Sequence, residues 1–185
     1  MHEILTELHQ DHICFARVLT ILEQEVNALS GDDDPDLFLI ADILHYIQHY
    51  PDLIHHPKED RVYEVFRQQA ANGLAVVVEL QKEHYYLPEL TKELHAMVIS
   101  AANSTLFVSR DELRTRLENF IKLQRAHIDL EESLLFPLID KTLTAEDWVG
   151  IESKTKKAQD PLFGDNIKNC YENLYESIKR QEIVS

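Results

Sequence analysis

A chain of 185 residues with 44% apolar side chains is long enough to bury one core and short for two. Its formal net charge of −15 repels phosphate backbones and anionic lipid, which excludes nucleic acid and membrane surfaces as partners and leaves small neutral ligands and cations. Only four Gly and six Pro, with no alternating β-branched run, exclude a sheet protein and set the expectation of an all-α fold.

The opening residues, MHEILTELHQDH, place acids and histidines where a secretion signal needs a basic end and an apolar block. No apolar run approaches the roughly 18 residues of a membrane span, so a cytoplasmic protein is expected. Cys14 and Cys170 match no paired-cysteine spacing and suit a reducing compartment as free thiols. Leu5, Leu8, His12, Phe15, Leu19, Leu22, Val26 and Leu29 form one seam of a first long helix. Ser30-Gly31 reads as its stop, and Asp34-Pro35 as the cap and first turn of a second helix. That helix runs to about Asn72-Gly73, with a kink or break expected at Pro51 and Pro57.

A third helix carries Val77, Leu80, His84, Leu87, Leu94 and Val98 and ends near Asn103. Ser109 with Glu112 reads as a capping box for a fourth, whose seam is Leu113, Leu117, Phe120, Gln124, His127, Glu131, Leu134 and Leu138. Four such helices with short connections predict an antiparallel up-and-down four-helix bundle over residues 1–141. Residues 142–185 read as a short helical C-terminal extension, with a cap at Thr144 to Asp147, a loop DPLFGDN, and an amphipathic helix through Ile167, Tyr171, Leu174 and Ile178. It is expected to pack on the bundle or on a second chain in a homodimer.

Ten histidines are the oddity of this composition. Laying the chain on itself with His12 over His84 also sets Leu8 over Leu80, Val26 over Val98, His55 over His127 and Glu59 over Glu131. The chain thus reads as two similar helical hairpins, each giving two histidines and one glutamate. His12 and His55 stand at similar distances from the first turn, roughly twenty residues at ~1.5 Å each, and His84 and His127 are matched in the same way about the second. All six side chains are expected to converge on one layer of the core. In the segment HHPKED, His55 and Glu59 continue an apolar stripe through Val62 and Phe66. By contrast, Asp42, His45, His49, Asp52, His56, Asp60 and Arg67 form a polar stripe, so His56 and Asp60 are expected to face solvent.

Buried imidazoles and carboxylates without partners cost several kcal/mol each, and a metal offsets that cost. Six ligands fill one octahedral ion, or serve two ions that share the carboxylates and keep open positions; the twofold repeat favours the second, and the nitrogen-and-carboxylate set suits iron. More imidazole and fewer carboxylates than in the ferritin-like pattern favour binding a diatomic over oxidising stored iron. Cys14 reads as an inert core thiol. Tyr46, Tyr50, Tyr85 and Tyr86 read as packing, with hydrogen donation near the pocket as the alternative, and Pro88 deprives the His84 carbonyl of its helical donor.

The set formed by Asp11-His12, HHPKED, Glu83-His84 and HIDLEESLLFP from His127 resembles the hemerythrin-like, or HHE cation-binding, family in its bacterial form, over residues from about 2 to 141. The resemblance implies a four-helix bundle holding two irons joined by an oxo or hydroxo bridge and two carboxylates. His12, His55, Glu59, His84, His127 and Glu131 would be the ligands. Oxygen-carrying relatives have a fifth histidine one turn from that of the third helix, where this chain has Leu80 and Pro88. The implied function is binding, sensing or detoxifying oxygen or nitric oxide. The alternatives are a di-iron oxidoreductase, with an electron-donor protein as partner, that reduces nitric oxide or peroxide or repairs iron centres, and a metal-stabilised partner-binding bundle.

Overall fold

A computed structural model of the chain describes residues 1–30, 34–70, 72–104, 108–155, 158–164 and 171–184, the last with side chains to 180. Every regular element among them is helical: α1 (Glu3–Ala28), α2 (Leu37–His49), α3 (His56–Gln69), α4 (Leu74–Ala102), α5 (Arg110–Leu130), α6 (Phe136–Thr142), α7 (Ala145–Glu152) and α8 (Glu172–Val184). No helix among the described residues is long and apolar enough to cross a membrane.

The caps explain where these helices start. Ser109 accepts from the backbone N–H of Glu112 at the head of α5, and Thr144 with Asp147 forms a reciprocal capping box on α7, both as their sequence motifs predict. The start of α2 differs from expectation. Asp36, rather than Asp34, accepts from the backbone N–H of Leu39 at 2.9 Å, while its own N–H donates to Glu25 of α1 at 2.8 Å. That second bond ties the head of α2 to α1 and selects the later cap. Gly31 and Cys170 lie outside the described residues, as do Ile167 and the end of the DPLFGDN loop. Gly73, in the left-handed region at φ 83°, caps α4.

The expected interruption of the second helix is a π-turn, Pro51–His55, closed by the N–H of His56 donating to the carbonyl of Pro51. A second π-turn, Glu131–Leu135, joins α5 to α6 and is closed by Phe136 donating to Glu131. Pro57 and Pro137 each stand two residues beyond a π-turn. A proline has no N–H to give and its ring crowds the carbonyl one turn back, which widens the helix at that point. α4 continues unbroken through Pro88.

α1 packs on α2 and α5, α2 on α4, α4 on α5, and α3 on α4. Two apolar clusters result. One gathers Phe15, Leu22, Ile43, Leu44, Leu94, Leu117 and Phe120. The other gathers Leu5, Leu8, Val62, Phe66, Val77, Leu80, Leu135 and Ile139. The buried histidines and glutamates fall between the two along α1, along α2 with α3, along α4, and along α5 with α6. The C-terminal segment joins the first cluster through Leu162, Tyr171, Leu174 and Ile178, and Tyr46 donates to Asp160 Oδ2 at 2.7 Å.

Candidate metal centre

Each of the four long helical runs delivers part of the polar layer: α1 brings His12, the π-turn and α3 bring His55 and Glu59, α4 brings His84, and α5 with the second π-turn brings His127 and Glu131. None of the six is more than 7% exposed. The ring nitrogens Nε2 of His12 and His55 are 3.0 Å apart, and those of His84 and His127 are 3.2 Å apart.

The glutamates lie between these imidazole pairs and face both. Glu59 Oε1 is 3.5 Å from His12 and 3.2 Å from His55, while its Oε2 is 3.4 Å from His84. Glu131 Oε2 is 3.3 Å from His12, while its Oε1 is 3.5 Å from His84 and 3.3 Å from His127. Each carboxylate therefore offers one oxygen to each pair.

Outside this ring of nitrogen and oxygen atoms stands a ring of acids. Nδ1 of His12 donates to Glu132 at 2.7 Å, His55 to Asp11 at 2.9 Å, His84 to Asp60 at 3.0 Å and His127 to Glu83 at 2.7 Å. The sequence repeat extends to these acids, because the alignment that sets His12 over His84 also sets Asp11 over Glu83 and Asp60 over Glu132. With Nδ1 protonated and donating, Nε2 carries a lone pair directed inward. Two ring nitrogens facing each other at about 3 Å need a cation between them, either a shared proton or a metal ion. Both oxygens of Glu59 and Oε2 of Glu131 also lack a hydrogen-bond partner in this dry layer. The residues thus fit a metal, and the acid on each Nδ1 is the arrangement that holds a ligating imidazole in place.

Charge in the metal-free layer follows the same geometry. Burial works against charging His12, yet Glu131, Glu132 and Glu59 around it hold its pKa well above the usual histidine value. Burial likewise opposes charge on His84, which Asp60, Glu131 and Glu59 raise to about 10. Glu131, which burial and the charge of Glu59 would raise, is brought down to about 2 by His127, His12 and His84. Burial, with the charges of His84 and His127, pushes His56 well below the ordinary value.

Three residues near the centre depart from their expected place. His56, expected on the solvent face, is 4% exposed and stacks on His84 with ring centroids 4.5 Å apart. Asp52 is buried as well, 3.5 Å from Nδ1 of His56, and burial pushes its carboxyl up to about 7. Asp60 is partly exposed and holds His84. An ideal helix turns about 100° per residue, and the extra residue of the π-turn rotates everything beyond Pro51 by about that much relative to Asp42, His45 and His49. His49 does face solvent, with Asp42 and His45 partly covered. The second π-turn moves the α5 seam in the same way, so Leu135 is buried and Leu134 is 42% exposed.

Tyr63, which the sequence reading passed over, is fully buried and its hydroxyl donates to Glu131 Oε1 at 2.5 Å. Its position one turn beyond Glu59 was the available signal. Tyr50 donates to Asp11 at 3.2 Å, whereas Tyr85 and Tyr86 are 86% and 54% exposed. Cys14 is buried and free, its thiol pushed up to about 11 by burial. Against the centre lies a cavity of about 10 Å³, room for one water-sized molecule, walled on the centre's side by His12, His55, His56 and His127 and elsewhere by Gln124, Tyr46 and apolar side chains. Gln124 is 6% exposed and its Nε2 has no hydrogen-bond partner.

The model of the hemerythrin HHE cation-binding domain matches residues 3–139, which hold every residue of this centre. The chain belongs to the hemerythrin HHE family. No curated protein and no solved structure matches it significantly. The hemerythrin HHE domain ends at α6, so α7 and α8 lie beyond the matched residues. Within the domain, two groups have ligating atoms close enough to hold a metal: His12, His55 and Glu59, and His56, Glu59, His84 and His127. Metal binding is the chemistry that both the family and this geometry support.

Proposed function

We propose that this chain is a non-haem di-iron protein that binds, senses or detoxifies oxygen or nitric oxide in the cytoplasm, with His12, His55, Glu59, His84, His127 and Glu131 as ligands. The observation that carries the reading is the split of each carboxylate, one oxygen toward His12 and the other toward His84. A single ion needs no such division, whereas two ions joined by bridging carboxylates require it. When bound, a ferrous pair supplies electrons to a diatomic and an open place beside it.

The protein's own residues do the rest. Asp11, Asp60, Glu83 and Glu132 fix the four imidazoles, and the two apolar clusters exclude water from either side of the layer. The small cavity lined by His12, His55, His56 and His127 is where a diatomic would meet the centre, with the unpartnered amide of Gln124 on its wall. We read α1, α2 with α3, α4, and α5 with α6 as the four antiparallel members of the bundle over residues 1–141. The apolar clusters support this, since each successive member meets them in the opposite order. We read residues 142–185, of which α7 and α8 are described, as its C-terminal extension.

The test is metal content and an optical spectrum of protein purified without added metal, before and after anaerobic reduction. Two irons per chain and a near-ultraviolet band that bleaches on reduction are expected, followed by a spectral change on adding oxygen or nitric oxide. Zinc, or no iron after anaerobic ferrous loading, overturns the reading.

A further inference from the structure

The two halves of the centre are unequal, and they part at His56. In the alignment that sets His12 over His84, Ile128 stands opposite His56 and Gln124 opposite Asp52. One half thus places an imidazole and a carboxylate where the other places an aliphatic chain and an amide.

Four observations bear on that imidazole. It is 4% exposed, in a layer where an unpartnered ring nitrogen is costly. Its Nδ1 makes no hydrogen bond. Its ring lies flat on His84 and edge-on to His127, with centroids 4.5 and 5.4 Å away. One of its nitrogens, with donor atoms of Glu59, His84 and His127, makes a set lying within 4.8 Å of one another.

Asp52 completes the pattern. Every other histidine of the layer has a carboxylate at Nδ1 and turns Nε2 inward. His56 has Asp52 3.5 Å from Nδ1, brought there from one turn earlier across the π-turn. The π-turn thereby lets two consecutive residues serve different partners, His55 facing His12 and His56 facing His84.

We propose that His56, with Asp52 beside its Nδ1, is a fifth histidine ligand, belonging to the metal position of His84 and His127. The position of His12 and His55, with Ile128 beside it, then keeps only two imidazoles, and the two positions meet at the cavity that His12, His55, His56 and His127 all line. This rests on the two-iron reading above.

Chelator competition for cobalt(II) tests it on the full chain, comparing wild type, His56→Leu and Asp52→Asn after circular dichroism shows each to be helical without metal. Wild type takes two equivalents. In His56→Leu one equivalent is held at least about tenfold more weakly and the other is unchanged, and Asp52→Asn shows a smaller loss on the same equivalent. Two equivalents at wild-type affinity in both variants overturn the assignment. Should His56→Leu not fold, Asp52→Asn decides alone. A wild-type chain that takes one equivalent overturns the two-iron reading instead. Weaker binding of that single equivalent by His56→Leu then still marks His56 as a ligand, and unchanged binding overturns the assignment.

Discussion

Glu132 holds His12 across the molecule: the Nδ1 proton of His12 on α1 is donated to Glu132, in the π-turn after α5, at 2.7 Å. Asp60 on α3 does the same for His84 on α4 at 3.0 Å. These two contacts cross between the repeated halves, whereas Asp11 to His55 and Glu83 to His127 stay within one half. Glu132→Gln and Asp60→Asn are each expected to weaken the metal position of the imidazole they hold by about 10- to 100-fold. Chelator competition measures it. Unchanged affinity in both variants would show that packing alone orients the rings.

Tyr63→Phe isolates the hydroxyl that donates to Glu131 Oε1, the oxygen facing His84 and His127. The ring stays packed against His84 at 5.8 Å, so a fold change is not expected. Loss of a buried hydrogen bond to a charged acceptor lowers the stability of the metal-free chain by about 1.5–3 kcal/mol, read from urea denaturation. A smaller loss in the metal-loaded protein would follow if a metal satisfies that oxygen.

The repeat made most of this centre legible. Spacing alone brought out the six residues that meet in this layer, because helical periodicity holds along α1, α4 and α5 up to Glu131, and the layer falls where those seams turn polar. What it hid lies at or beyond the π-turns. A stripe drawn at 100° per residue from Asp42 cannot see the extra residue at Pro51–His55, so it assigns Asp52, His56 and Asp60 to solvent. The same slip puts Leu134 in the core in place of Leu135. Tyr63 stayed hidden for another reason. A tyrosine at helical spacing reads as packing until the acceptor for its hydroxyl is in view.

Removing metal is expected to loosen the layer selectively. Without a cation, the histidine pairs face each other at 3.0 and 3.2 Å and the oxygens of Glu59 stay unpartnered, while the apolar clusters on either side remain intact. Metal at a hundred times its dissociation constant stabilises a single site by about 2.7 kcal/mol. The metal-loaded chain should therefore unfold at a higher temperature than the chelated chain, with little change in helix content at low temperature. Hydrogen exchange in α3 and α5 should slow on loading, and exchange in α7 should not. Equal thermal midpoints with and without metal would contradict this account.

Gln124 is the residue through which the cavity can favour one diatomic state over another. It is buried, it lines the space beside His12 and His55, and its amide nitrogen has no partner. Besides the apolar Phe15, Leu19 and Ile128, the wall holds Tyr46, whose hydroxyl is committed to Asp160, and His12, His55, His56 and His127, so the Gln124 amide is its unpartnered donor outside the histidine layer. A hydrogen bond made only when the ligand is present slows its escape rather than its entry. Gln124→Leu keeps the volume and removes the donor. It is expected to leave metal content unchanged and to raise the dissociation rate of nitric oxide or oxygen about tenfold, the equivalent of about 1.4 kcal/mol. Stopped-flow displacement measures that rate. An unchanged rate in Gln124→Leu, with metal content intact, would mean that the amide plays no part in holding the ligand and that the cavity retains it by size alone.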